Sequence, residues 1–406
     1  MFRISQLLTT LHDDLTAVKP VKAARKMSGP VVIWNLIRRC NLRCKHCYST
    51  SLDIDFKDEL TTEQIKATID DLKVAHVPVL ILSGGEPLLR PDIYDITAYA
   101  KAKGFYVALS TNGTLIDESN IEKIKAADYQ YVGISIDGLE DFHDEFRRQQ
   151  GSFKTSMHAI KLCKEAGIKI GMRLCLTKEN FNDIPAMLNL MEENKVDKFY
   201  LSHLNYSGRG KRSAENDAMF KMTKEVMELL FERAWSHINQ GIVTDFVTGN
   251  NDADGPFLLQ WATKKFAKSH PKAIANLKQR LINWGGNASG VNVANIDNTG
   301  KIHPDTYWWN HPIGNVKTEK FSSVWKNTQD PLMLGFRQSP RPVKGRCASC
   351  DHLNICGGNT RTRAFAQSGD AWAEDPGCYL DDAEIGLVIE NNLPINNNTN
   401  IPVVEV

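Results

Sequence analysis

Val31-Val32-Ile33-Trp34-Asn35-Leu36-Ile37, an apolar run that reads as a strand, leads almost directly into Cys40-Asn41-Leu42-Arg43-Cys44-Lys45-His46-Cys47. Three thiolates on one short loop can each take one iron of a cubane and leave the fourth iron without a protein ligand. A cluster needs such an open iron in order to bind a further molecule, whereas full Cys₄ ligation suits electron transfer or structure. Zinc is the alternative, but it needs a fourth ligand, and His46 is poorly placed for that between two of the cysteines.

Working outward from this loop, short apolar runs alternate with amphipathic stretches. Strands are expected at Val31–Ile37, Pro78–Leu82, Phe105–Ser110, Tyr131–Ile136, Ile168–Leu176 and Lys198–His203, all rich in Val, Ile, Leu and aromatics. Helices are expected after the capping run Leu60–Gln64 and over Pro91–Lys103, Ser119–Ala127, Ser152–Glu165 and Ile184–Asn194. Gly104 and Gly167 sit where a helix C-cap belongs. Six strand–helix units in about 180 residues predict an α/β fold with a parallel sheet. They fit a partial (β/α)6 barrel and also a doubly wound open sheet; either way, ligands belong at the C-terminal strand ends.

Beyond the repeats, the pattern predicts a long amphipathic helix over 214–241, then Gly- and Asn-rich loops at 248–255 and 283–290. The organisation expected is an N-terminal segment 1–30, a barrel 31–213, a linking helical region 214–295, a C-terminal cysteine domain 296–390 and an Asn-rich flexible tail 391–406. Met1–Pro20 scatters Arg3, His12, Asp13 and Asp14 among its apolar residues, unlike a secretory signal. No window approaches the roughly 18 apolar residues of a membrane span. The chain is expected in the cytoplasm. Its 49 Lys+Arg against 48 Asp+Glu leave a charge of +1, which favours neither a nucleic-acid nor a membrane partner.

Of the nine cysteines, Cys163 and Cys175 lie in apolar periodic segments and read as small buried side chains. Cys347, Cys350, Cys356 and Cys378 form a second group. Four thiolates on loops either close a [4Fe–4S] cluster completely or bind one zinc ion tetrahedrally, and spacing leaves both open.

The C-x3-C-x2-C loop after the first strand of a βα repeat resembles the signature of the radical SAM superfamily, with His46 in its usual aromatic position. The resemblance implies that an open iron, held by Cys40, Cys44 and Cys47, chelates S-adenosylmethionine (SAM). An electron from a low-potential donor such as flavodoxin or ferredoxin then cleaves SAM to methionine and a 5′-deoxyadenosyl radical, which takes hydrogen from the substrate. Further motifs follow in order over roughly residues 31–210. Ser83-Gly84-Gly85-Glu86-Pro87 resembles the GGE motif that receives the methionine amine; bare glycines permit close approach, and Glu86 complements a positive charge. Ser110-Thr111-Asn112-Gly113 ends the third strand and Ser135-Ile136-Asp137-Gly138 the fourth, where the hydroxyl of Ser135 and carboxylate of Asp137 are expected to bond ribose. Arg173 matches a position that often faces the SAM carboxylate.

The second cysteine group, C-x2-C-x5-C with a distant fourth, resembles the SPASM/Twitch extension of these enzymes. A full SPASM domain has seven cysteines for two auxiliary clusters. Here Thr360 and Asp305 stand at two of those places, so the remaining four match one auxiliary cluster, giving two [4Fe–4S] clusters in total. Electron relay, substrate positioning and structure are all open roles for it.

Along the whole chain the resemblance is to the NirJ family of heme d1 biosynthesis, and more distantly to the AhbC and AhbD enzymes of the alternative heme pathway. It is carried by Gly29–Leu36, Pro78–Pro87 and Thr248–Asp254. It implies a tetrapyrrole substrate, 12,18-didecarboxysiroheme, that loses two propionate side chains; AhbC-type chemistry would remove acetates instead. A carboxylate-rich macrocycle wants cations and flat apolar surface near the barrel mouth. Arg147, Arg148, His203, Arg209, His303, Trp308, Trp309 and His311 are the candidates, and the sequence chooses no axial histidine among them. Two rival readings are a peptide-modifying SPASM maturase, which often carries a separate peptide-recognition domain and seven cysteines, and a non-catalytic Fe–S electron carrier. The GGEP and SIDG motifs tell against a carrier, which has no reason to bind SAM.

Overall fold

The structure, a computed structural model, describes residues 1–16, 29–218 and 220–387. The tail expected at 391–406 lies outside these residues, as does part of the segment 1–30. The strands in chain order are β1 (Phe2–Arg3), β2 (Val31–Asn35), β3 (Val79–Ser83), β4 (Tyr106–Thr111), β5 (Tyr131–Ser135), β6 (Ile170–Leu176), β7 (Lys198–His203), β8 (Asp245–Gly249), β9 (Val293–Ile296), β10 (Lys301–His303) and β11 (Gly314–Asn315). They form one 11-stranded sheet in the order β1-β8-β7-β6-β5-β4-β3-β2-β9-β10-β11.

The six expected strands are β2 to β7, which pair in parallel one after the next. Among these six strands the order in the sheet follows chain order without reversal, so they contain no switch point of the doubly wound kind, and this part of the sheet winds as a barrel does. Alternation along each strand separates two faces. Val32, Trp34, Leu80, Leu82, Val107, Leu109, Val132, Ile134, Ile170 and Met172 are fully buried and belong to the main core. The intervening positions, among them Ser110, Tyr131, Gly133, Ser135, Gly171 and Arg173, are small or polar and face the lumen.

Local chemistry explains the helices between the strands. Thr61 caps the helix Thr62–Val74 through a capping box, its hydroxyl accepting from the Gln64 amide at 3.3 Å while the Gln64 side chain accepts from the Thr61 amide at 3.0 Å. Gly104 and Gly167 close the helices Ile93–Ala102 and Ser152–Glu165 in the left-handed conformation, with φ of 79° and 77°.

The sheet continues past residue 213. β8 pairs in parallel with β7, inside a stretch expected to be helical linker and loop, and β1 adds to it antiparallel. On the other flank β9 pairs in parallel with β2 and carries the hairpin strands β10 and β11. The long helix expected at 214–241 runs over Phe220–Asn239. It packs, with the helix Pro271–Trp284, against the N-terminal helix Ile4–Thr16.

Thr248–Asp254, singled out by resemblance, is the seam between barrel and C-terminal segment. Asp254 is fully buried and accepts from the Tyr379 hydroxyl at 2.8 Å, from His203 Nε2 at 3.1 Å and from the Thr248 hydroxyl. The Asn251 side chain donates to Gly377 O at 2.7 Å and accepts from Asn359 Nδ2 at 2.8 Å. The Asn250 carbonyl accepts from Thr360 and from Arg363, which is itself in a fully buried ion pair with Asp375. Among the described residues no helix is long and apolar enough to cross a membrane.

Candidate active site

The cysteine loop is held from several sides. Cys40 N donates to Leu52 O at 3.0 Å and Lys45 N to Phe146 O at 2.9 Å. Arg209 donates from Nε to Cys44 O at 2.8 Å and from Nη1 to Ser51 O at 3.0 Å. Cys40 and Cys44 are buried and pack together with Leu42 and the half-buried Cys47. Burial pushes the Cys40 and Cys44 thiols well up, so neither would ionise readily without an electropositive partner. The surroundings offer donors to sulfur: Leu42 N at 3.4 Å and Asn112 Nδ2 at 3.9 Å from Cys40 Sγ, and Arg147 Nη1 at 3.8 Å from Cys44 Sγ. Such donors are what cluster thiolates require of their outer shell, and the three residues fit that group. His46 stacks on Phe146 with centroids 4.6 Å apart and planes at 13°. Burial pulls its pKa down to about 4, and its Nδ1 is buried without a partner among the described residues.

The glycines of the GGE motif make their close approach to the cysteine loop itself. A Cβ on Gly84 would lie 2.4 Å from Ile37 O and one on Gly85 2.2 Å from Arg39 O. Gly85 N donates to Ile37 O at 2.6 Å and Glu86 N to Arg39 O at 2.9 Å, so the motif ties β3 to the loop after β2. Glu86 is fully buried and accepts from the Thr111 hydroxyl at 2.7 Å, Asn112 N at 2.8 Å and Leu88 N at 3.1 Å. Burial outweighs these donors and raises its pKa to about 6. Asn112 in turn donates from Nδ2 to Asn41 Oδ1 at 2.9 Å, joining the third strand's motif to the cysteine loop.

Ser135 and Arg173 lie side by side in register on β5 and β6. Arg173 donates to Ser110 Oγ, and its guanidinium sits 4.9 Å from the ring centroid of Tyr200. Four phenols face it, those of Tyr131, Tyr200, Tyr307 and Tyr48, and it forms no ion pair among the described residues. A half-buried cation in this state is suited to receive an anionic ligand.

Asp137, expected to bond ribose, is engaged by protein groups in this structure. Its side chain is 1% exposed, with Oδ2 accepting from Arg147 Nε at 2.7 Å and Nη2 at 2.6 Å and Oδ1 accepting from Cys175 N at 2.8 Å. Burial alone would raise its pKa, but Arg147, His46 and His143 outweigh it and hold the carboxyl below the usual range. Arg147 thereby joins Asp137 to Cys44. The missed helix Glu140–Arg147 delivers that arginine; its only sequence signal was an acidic first turn, Glu140 and Asp141.

Most of the residues considered for a carboxylate-rich macrocycle are committed elsewhere. Arg147 is in the pair just described and Arg209 clamps the cysteine loop. His203 is buried on Asp254, and His303 on Asp297 at 3.3 Å. Trp308 packs with Leu332, Met333 and Phe336, His311 pairs with Asp330 at 2.9 Å, and Arg148 is exposed at a left-handed helix cap. Trp309 alone remains half-buried at the mouth.

Cys347, Cys350, Cys356 and Cys378 line one small cavity together with Arg346 and His352. Cys350 Sγ accepts from His352 N at 3.3 Å, and burial raises the thiols of Cys350, Cys356 and Cys378, the last to about 11. Among the described residues no three His, Cys, Asp or Glu side chains gather tightly enough for a single metal ion. A cubane spaces its thiolates more widely, since each binds a different iron. Thr360 and Asp305, at places where a fuller set would have cysteines, hold loops instead: Thr360 N donates to Asp375 Oδ2 at 2.9 Å, and Asp305 accepts from Tyr307 N at 2.7 Å. Cys163 is buried in the core, and Cys175 is buried beside Asp137.

A family model described as the radical SAM superfamily matches residues 34–191. The pre-heme d1 synthase of Dinoroseobacter shibae is 47% identical over 391 residues, 96% of this chain and 95% of that protein. The Fe-coproporphyrin III synthase of Methanosarcina barkeri is 40% identical over 364 residues, 89% of this chain and 90% of that protein. Among solved structures, Streptococcus suis SuiB bound to S-adenosylmethionine superposes with a TM-score of 0.68 at 19% identity, over 87% of this chain and 78% of that one, a likeness of fold. With such identity over nearly the full length of both proteins, the chain belongs to the radical SAM superfamily and, within it, to the family that contains pre-heme d1 synthase.

Proposed function

We propose that the protein removes propionate side chains from 12,18-didecarboxysiroheme on the way to heme d1. The observation that carries this reading is the 47% identity to a pre-heme d1 synthase over nearly the whole of both chains. A [4Fe–4S] cluster bound to Cys40, Cys44 and Cys47 would supply the electron that splits SAM into methionine and a 5′-deoxyadenosyl radical. The protein's own groups position the sulfonium for that electron. In this reading Glu86, ionised above about pH 6, complements the methionine amine beside the Gly84–Gly85 backbone. Arg173, oriented by Ser110, takes the methionine carboxylate. Ser135 faces the ribose, Asn112 fixes the wall next to Cys40, and His46 presents its neutral ring beside the cysteine loop. Cys347, Cys350, Cys356 and Cys378 hold a second [4Fe–4S] cluster. A low-potential flavodoxin or ferredoxin supplies electrons, and the reaction takes place in the cytoplasm, without nucleic acid or membrane.

The 40% identity to an Fe-coproporphyrin III synthase favours a second reading, in which acetate side chains leave instead. Anaerobic turnover of the reconstituted protein with SAM, reductant and 12,18-didecarboxysiroheme, read by mass spectrometry, separates the two. Loss of propionate mass supports the first reading and loss of acetate mass the second. Formation of 5′-deoxyadenosine with an unchanged tetrapyrrole would refute both.

A further inference from the structure

The C-terminal ends of the strands are crossed by aromatic rings that come from opposite ends of the chain. Tyr48, from the cysteine loop, accepts at its hydroxyl from Asn35 Nδ2 at 2.8 Å, at the end of β2. Tyr307, from the C-terminal segment, accepts at its hydroxyl from Asn250 Nδ2 at 2.6 Å, just beyond β8. The two rings meet edge to face with centroids 5.4 Å apart, and Trp309 stands 6.3 Å from Tyr48. Trp309 is backed by the buried His303, with the two planes 10° apart at 5.9 Å. The result is a cluster of rings at the mouth, inclined at 69° and 60° to Tyr48, in which the half-buried Trp309 stands beside the lumen.

Arg38 closes one end of this cluster. Its guanidinium lies 4.8 Å from the ring centroid of Phe56 and 5.9 Å from that of Trp309. Nε donates to Ser49 O at 3.0 Å and Nη2 to Thr50 Oγ1 at 2.5 Å, which fixes the plane and leaves Nη1 unused among the described residues. The acid in its neighbourhood, Glu59, accepts from the Arg38 backbone amide at 2.8 Å, and Arg38 forms no ion pair among the described residues. An arginine held flat by two rings and two hydrogen bonds has already lost its side-chain freedom, so it can take a planar anion at little further ordering cost. A carboxylate is the anion its fork matches.

We infer that Arg38 and Trp309 form the recognition site for one carboxylate-bearing edge of the macrocycle, with the ring edge against Trp309 and a side-chain carboxylate on Arg38 Nη1. This rests on the tetrapyrrole reading above. It assigns no substrate role to the arginines and histidines that the structure shows paired elsewhere, and it places the macrocycle edge next to the lumen where Arg173 and Ser135 lie. A purely structural alternative has Arg38 serving as a clasp between the cysteine loop and the C-terminal segment.

The test is a titration of 12,18-didecarboxysiroheme into anaerobically reconstituted full-length protein, followed by the absorption of the tetrapyrrole, for wild type, R38K, R38M and W309L. Iron content and SAM affinity in the same samples report whether the cysteine loop is intact. R38M is expected to raise Kd at least tenfold, and R38K to raise it less but measurably, because an ammonium keeps the charge and loses the planar fork. W309L is expected to raise Kd severalfold. Wild-type Kd in both R38M and W309L overturns the inference. If R38M loses iron, W309L decides, since it lies outside the cysteine loop: an unchanged Kd there overturns the inference as well. Failure of the wild type to bind the tetrapyrrole would refute the proposed function instead.

Discussion

Breaking the Asp137–Arg147 pair separates two accounts of the fourth strand's motif. If Asp137 served ribose, D137N would weaken SAM binding and leave the fold as stable as before. The structure instead buries both side chains, at 1% and 8% exposure, and joins them by contacts of 2.6 and 2.7 Å. Removing one partner of such a pair leaves an uncompensated buried charge, at a cost of about 3–5 kcal/mol. R147M leaves the Asp137 carboxylate with the Cys175 amide at 2.8 Å, and it strips Cys44 Sγ of its nearby guanidinium. D137N retains an acceptor for that amide but leaves Arg147 without its counter-charge. The double variant should be less destabilised than the sum of the singles, with a coupling of roughly 1–3 kcal/mol.

The assay is anaerobic urea unfolding of the four proteins at equal iron content, repeated across pH. Because the Asp137 pKa is depressed in the fold, the pair's contribution is fully present above the unfolded carboxylate value, near 4. It is lost as pH falls through the lower folded value. In R147M burial without the guanidinium raises the Asp137 pKa, so the gap between wild type and R147M should be widest at high pH and shrink as pH falls through that raised value. Single variants within about 1 kcal/mol of wild type, or a gap that widens on acidification, would refute the reasoning.

Three further outcomes follow from the geometry. Replacing Cys347, Cys350, Cys356 and Cys378 with alanine should lower iron content per chain while the first site still binds SAM; unchanged iron would show that no cluster resides there. SAM affinity, measured by equilibrium dialysis, should fall as pH drops below about 6, because protonated Glu86 no longer complements the methionine amine; a flat profile from pH 7.5 to 5.5 would contradict that role. G85A should destabilise the protein by about 1–3 kcal/mol and loosen the cysteine loop even without SAM, because the new Cβ would fall 2.2 Å from Arg39 O. Stability equal to wild type would show that the loop gives way easily.

What the sequence disclosed was governed by local chemistry. β2 to β7 are apolar runs of five to seven residues, and Thr61 with Gln64 forms a cap within one turn, so each could be read without knowing its neighbours. The cysteine loop was legible for the same reason, since its spacing is itself the message. β8 and β9 were not, because Asp245-Phe246-Val247-Thr248-Gly249 and Val293-Ala294-Asn295-Ile296 are short and partly polar and become strands by pairing with β7 and β2. The Asp137–Arg147 pair was not legible because the arginine arrives on an eight-residue helix whose apolar pattern is too brief to stand out. The reason for Gly84 and Gly85 was hidden in the same way, since the backbone they touch lies more than forty residues earlier in the chain. The mouth brings Tyr48 against Tyr307, a meeting that no local pattern announces.

The most direct test of the central claim is anaerobic formation of 5′-deoxyadenosine from SAM and dithionite by wild type and by C40A/C44A/C47A. The account predicts product from the wild type and none from the variant, which should keep the iron held by the second cysteine group. Continued 5′-deoxyadenosine formation by the variant would contradict it.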